Sequence, residues 1–114
     1  MTSPNLRDDV DRIVRGELPL GALFGLDADD IHSFADLADE LLAAGQVRDA
    51  LFLYEGCVQL DPLDITLLCG YATALRYAGD AERLRQISEI ILELAPRDPD
   101  VGAFLADISL DAAA

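Results

Sequence analysis

Apolar residues recur along this chain at helical spacing, in blocks separated by short breaks that carry glycine or proline. In "DIHSFADLADELLAAG" the residues Phe34, Leu37, Ala38, Leu41 and Leu42 fall at i, i+3, i+4, i+7 and i+8, one stripe of an α-helix. Asp29 or Asp30 stands where a side chain can accept from the first free N–H groups, and Gly45 supplies the left-handed residue that ends the helix. The next block repeats the rule with Val47, Ala50, Leu51, Tyr54, Cys57 and Val58. It halts at Asp61-Pro62, because proline disfavours helical geometry in the residue before it. The same grammar predicts helices near 66–78 and 81–95. A last helix, about 99–111, carries Val101, Phe104, Leu105 and Ile108 and has no partner, so it is expected to close the end of a stack.

The blocks are related by a shift of 34 residues. Leu37 then falls on Tyr71, Ala38 on Ala72, Leu41 on Leu75, Gly45 on Gly79, Leu60 on Leu94 and Pro62 on Pro96. A further shift brings Leu105 and Ala106 onto the first two of those rows. The chain therefore divides into an N-terminal helix and linker, 1–30, and a repeat domain, 31–114, with units 31–64 and 65–98 and a capping helix 99–111. Alanine at 38, 72 and 106 marks a position where a small side chain lets paired helices approach closely. Ala50 is the matching small residue on the second helix, but its counterpart is Leu84, so the second hairpin is expected to be splayed or shifted relative to the first.

Ahead of the repeats, "LRDDVDRIVRGE" places Leu6, Val10, Ile13 and Val14 on one face of a short amphipathic helix, which cannot bury that face alone and must dock on something. Pro19, Gly21 and Gly25 then interrupt an apolar string, as in a linker with a short helical turn. Phe52, Leu53, Leu67, Ile90 and Leu92 lie off the main stripes, which implies either extra packing within the chain or an exposed patch. A homodimer through the N-terminal helix is one expected way of covering such surface.

Composition narrows the function classes. Eight basic residues against 22 acidic ones give a net charge of −14, so there is no basic stripe for a phosphate backbone and nucleic acid is not an expected partner. The 52% hydrophobic content is too high for an acidic disordered chain. No apolar run suits a membrane span and the first residues lack a secretory signal's basic start and apolar core, which predicts a cytoplasmic protein without stable membrane insertion. Cys57 and Cys69 have neither a C-x-x-C pairing nor a nearby His and read as reduced packing residues. His32, the single histidine, lacks a nucleophile pattern or metal-ligand spacing around it and reads as a first-turn surface residue. Asp27, Asp29 and Asp30 lack the glycine and bidentate Glu of a calcium loop and are better explained as helix-start capping. No catalytic residue, cofactor or metal is expected.

The 34-residue period, the Leu-Ala pair in the first helix, the glycine between helices, Ala50 and the closing prolines at 62 and 96 together resemble tetratricopeptide repeats. The order of elements from "RGELPLGALFGLDADD" through "LADELLAAGQ" to "ALFLYEGCVQLDPLD" is similar to class II chaperones of bacterial type III secretion, which hold hydrophobic translocator proteins before export. That family usually has three full repeats. This chain has two and a capping helix, nearer to the tetratricopeptide-like chaperones of the needle subunit. The resemblance implies an all-α helix-hairpin solenoid whose first helices line a concave groove for a protein partner. The lining maps to Ala35, Asp39, Leu42 and Ala43 in the first unit and to Cys69, Thr73, Arg76 and Tyr77 in the second.

Each of those sets lies on one helix face. Lacking Lys, Arg and Asn at its first-unit positions, the lining is unsuited to acidic tails and suits an extended or helical apolar segment instead. Arg76 is expected to pair with Asp39 or with a partner's carbonyls. The functional expectation is a chaperone for an apolar segment of an export substrate, translocator or needle-type; the alternative is an adaptor joining components of a larger assembly.

Overall fold

The structure, a computed structural model, describes Arg12, Arg15 and residues 25–113. Those residues form five α-helices in mutual contact, and no strand occurs among them: α1 (Ala28–Ala43), α2 (Val47–Leu60), α3 (Ile65–Ala78), α4 (Ala81–Leu94) and α5 (Pro99–Ala113). The predicted face of Leu6, Val10, Ile13 and Val14, and the linker that follows it, lie outside the described residues apart from Arg15 and the chain from Gly25 onward.

Four of the five described helices start at a capping aspartate; α2 starts after Gln46 without a side-chain cap. Asp27, rather than Asp29 or Asp30, is the N-cap of α1: its Oδ1 accepts from the Asp30 N–H at 2.8 Å, and Asp30 Oδ2 accepts from the Asp27 N–H at 3.0 Å. This reciprocal box satisfies two otherwise orphaned donors, and Asp29 and Asp30 add negative charge where the helix dipole favours it. Asp64, Asp80 and Asp98 cap α3, α4 and α5 by accepting from the N–H groups of Leu67, Arg83 and Val101, without the reciprocal bond. Pro99 sits at the first position of α5, where its missing N–H costs nothing. Gly45 and Gly79 end the first helix of each pair with φ of 82° and 76°, a region that other residues enter only at a steric cost.

The core is built around α3, which buries Leu67, Leu68, Tyr71, Ala72, Ala74 and Leu75 and touches all four other helices. One cluster joins these to Ala38 of α1, Tyr54 of α2, Leu84, Ile87 and Ile91 of α4, and Val101 and Ile108 of α5. A smaller cluster ties Ile31, Cys57 and Leu67, with Leu26 packed against it. Leu67, read from the sequence as lying off the main stripe, is thus a core residue. Tyr54 packs closely against α3 at Gly70: a Cβ there would lie 2.5 Å from the tyrosine Cε1.

Ala38, Ala50 and Ala72 are fully buried at the helix crossings, as their small size requires. Ala106 is exposed, because no helix follows α5 among the described residues to pack on it. The α1–α2 pair approaches along more of its length than the α3–α4 pair, where Leu84 replaces the second small residue. The first helices also touch one another, α1 with α3 and α3 with α5.

Candidate functional site

The residues assigned to the groove sit on α1 and α3, which lie in direct contact. On α1, Ala35 and Leu42 are half-buried and pack against the main core, so their role is mainly structural. Asp39 and Ala43 are exposed. Partial burial, and secondarily the like charge of Asp36, push the Asp39 carboxyl above its usual range, which weakens its preference for the charged form.

On α3, Cys69 packs against the core, and its thiol is pushed up by burial and then by Asp98, which leaves it a poor nucleophile. The Thr73 hydroxyl donates to the Cys69 carbonyl at 2.9 Å, one turn back along its own helix. Arg76 does not pair with Asp39. Its guanidinium lies 5.2 Å from the centre of the Tyr77 ring and reaches toward Asp107 of α5, Nη1 to Oδ2 4.0 Å. Tyr77 itself is 61% exposed, a large amphipathic ring held beside a cation.

A second apolar surface lies where the sequence pattern placed interior. Phe34 and Leu37 are 42% and 47% exposed, and the buried stripe of α1 is instead Ile31, Ala35, Ala38 and Leu42. Phe34 lines a cleft of about 450 Å³ with Phe52, Leu53, Gly56 and Leu60, where Phe52 projects almost wholly into solvent. Of the off-stripe residues, Leu53 is half-buried against the core, whereas Phe52, Ile90 and Leu92 stand exposed. The misplacement has an identifiable cause. Phe34 and Leu37 repeat Leu68 and Tyr71, which are buried in the cluster that α3 shares with α2, α4 and α5. α3 packs against all four other described helices, whereas α1 packs chiefly against α2 and α3 and has no described helix before it.

His32 is more than a first-turn surface residue. Its Nε2 lies 2.7 Å from Asp64 Oδ2, and since a carboxylate only accepts, Nε2 carries the proton. The hydrogen bond to Asp64 raises the imidazole pKa against the opposing effect of desolvation, with the charges of Asp64, Asp61 and Asp29 adding to it. Asp61, at the end of α2, is pushed up by burial and by Asp64 and drawn back by His32.

Among the described residues no group of three His, Cys, Asp or Glu side chains is arranged to hold a metal ion, and no helix is long and apolar enough to cross a membrane. Cys57 and Cys69 are free thiols, and Cys57 donates to the Ile31 carbonyl at 3.6 Å. Two exposed apolar surfaces stand out among the described residues: one on the row of first helices, centred on Tyr77, and one at the α1 end, centred on Phe34 and Phe52. Compared with known protein families, curated proteins and solved structures, the chain matches none.

Proposed function

We propose that this protein is a non-enzymatic, tetratricopeptide-like helix-hairpin module that holds an apolar segment of a protein partner, in the manner of the export chaperones of type III secretion. The observation that carries this reading is the row of first helices. α1, α3 and α5 touch in sequence, as they do where a stack of hairpins curves toward its first helices. Tyr77 projects from the middle helix of that row, with the partly buried Arg76 guanidinium against its ring. An exposed tyrosine offers contact area at low entropic cost, and the adjacent guanidinium can receive backbone carbonyls of an extended guest. The large excess of acidic residues would keep a loaded complex soluble through like-charge repulsion.

The reading is tested by co-expression with translocator and needle-type subunits from a secretion system. A client of this protein becomes soluble and co-purifies with it. Tyr77→Ala is expected to lose the client while the melting temperature of the free protein stays unchanged, because the ring is mostly in water. If the subunits stay insoluble with the native protein present, the chaperone reading fails. Recovery only as a stoichiometric part of a mature assembly would make the protein an adaptor instead.

A further inference from the structure

The two repeats bury unequally. At the 34-residue offset, Phe34, Leu37 and Leu41 of α1 correspond to Leu68, Tyr71 and Leu75 of α3. The α3 set is 1%, 3% and 2% exposed, in one cluster with Tyr54 of α2, the helix that precedes it, and with Leu84, Ile87 and Ile91 of α4 and Val101 and Ile108 of α5. The α1 set is apolar as well, yet Phe34 and Leu37 lie open and Leu41 is only half-buried. α3 thus has a preceding helix, α2, packed on it through Tyr54 at Gly70, whereas no described helix precedes α1.

An amphipathic helix arriving from upstream would complete the pattern, and the sequence supplies one. α2 carries Ala50, Tyr54, Cys57 and Val58 at i, i+4, i+7 and i+8. Leu6, Val10, Ile13 and Val14 have the same spacing, set 44 residues earlier, so their connection into the hairpin is ten residues longer than the repeat offset alone would give. The size of the side chains fits too. The Tyr54 ring needs Gly70 beneath it, whereas α1 has Asp36 at that position and the counterpart of Tyr54 in the arm is the shorter Val10.

The tether points the same way. The chain enters α1 through Leu26, which packs on Ile31, Cys57 and Leu67, at the edge of the cleft that Cys57 also lines. The residues between Val14 and Gly25 can span up to about 35 Å when extended, against about 21 Å of helix from Asp27 to Leu41. A leash of this kind gives an effective concentration in the millimolar range, above what a second copy reaches at ordinary protein concentrations.

We infer that residues 1–24 of the same chain cover the Phe34, Leu37 and Leu41 face, with Leu6, Val10, Ile13 and Val14 serving as the half-repeat that α1 otherwise lacks. This closes the α1 end of the stack and leaves the Tyr77 row open, and it does not depend on the chaperone reading.

The test places the photo-crosslinking residue p-benzoyl-phenylalanine at position 34, and separately at 37, in the full chain. Equal amounts of nitrogen-14 and nitrogen-15 protein are mixed, irradiated and digested for mass spectrometry. Crosslinks from position 34 or 37 to residues 1–24 within one isotope class are the expected result. Crosslinks to residues 1–24 of the other isotope class would assign the face to a second copy and overturn the inference, as would an absence of crosslinks to residues 1–24. In a companion variant, Val10→Asp with Ile13→Asp, the intramolecular crosslink is expected to fall about tenfold or more, the loss of two buried apolar side chains. An unchanged yield would overturn it equally.

Discussion

His32 and Asp64 join the first turn of α1 to the start of α3 through a 2.7 Å Nε2–Oδ2 contact, while the other oxygen of the same carboxylate caps α3 by accepting from the Leu67 N–H at 3.2 Å. One aspartate thereby caps the start of a helix and ties the two repeats together. Because Asp61 ends α2 beside it, three helices meet at this corner.

The pH dependence of stability follows from that pair. His32 titrates higher in the folded protein than its ordinary value of 6.5, so the folded state binds the proton more tightly than the unfolded chain does. The resulting stabilisation is fully present below about pH 6.5 and is lost as pH rises through the raised folded value. With the imidazole partly exposed, its size should be about 1 kcal/mol or less. Urea titrations between pH 5 and 8 are expected to show this decline in the native protein and a flatter profile in His32→Gln. Equal slopes in the two proteins would remove His32 from the account.

Gly70 is required by Tyr54. Gly70→Ala places a methyl group within 2.5 Å of the ring, so the ring or α3 must shift, at a cost of about 1–3 kcal/mol. In the double variant with Tyr54→Leu the clash is gone. Chemical denaturation of the four proteins should therefore give a cost well below the sum of the two single changes. Strict additivity would show that the ring does not sense the new methyl.

The aspartates at the start of α1 are not equivalent. Asp27→Ala removes the cap and is expected to cost about 1 kcal/mol. Asp29→Ala removes only a favourable charge near the helix start and should fall within about 0.5 kcal/mol of the native protein. Thermal melts of the two variants should separate them clearly, and a larger loss from the Asp29 change would reverse the assignment.

Close approach in the first hairpin depends on alanine. Ala38→Leu inserts bulk at a fully buried crossing and is expected to destabilise by about 1–3 kcal/mol, whereas Ala106→Leu, on an exposed position of the same repeat row, should be nearly neutral. Similar effects from the two substitutions would mean that residue 106 is covered in solution.

Local pattern by itself determined much of this protein. Helical periodicity, the Gly45 and Gly79 stops and the closing prolines at 62 and 96 place the five described helices to within a few residues, because those signals act between near neighbours in the chain. The 34-residue recurrence likewise marked Ala38 and Ala72 as crossing points. Other features were decided only by the way helices meet. A stripe that includes Phe34, Leu37 and Ala38 tells which residues are apolar, but which of them are buried depends on whether a neighbour lies against each side. α3 packs against all four other described helices, whereas α1 packs chiefly against α2 and α3 and leaves Phe34 on an open cleft and Leu37 exposed. The partnership of His32 with Asp64, the packing of Tyr54 on Gly70 and the reach of Arg76 toward Asp107 join residues of different helices. No local periodicity encodes such pairs, because their distances exist only once the helices have been packed.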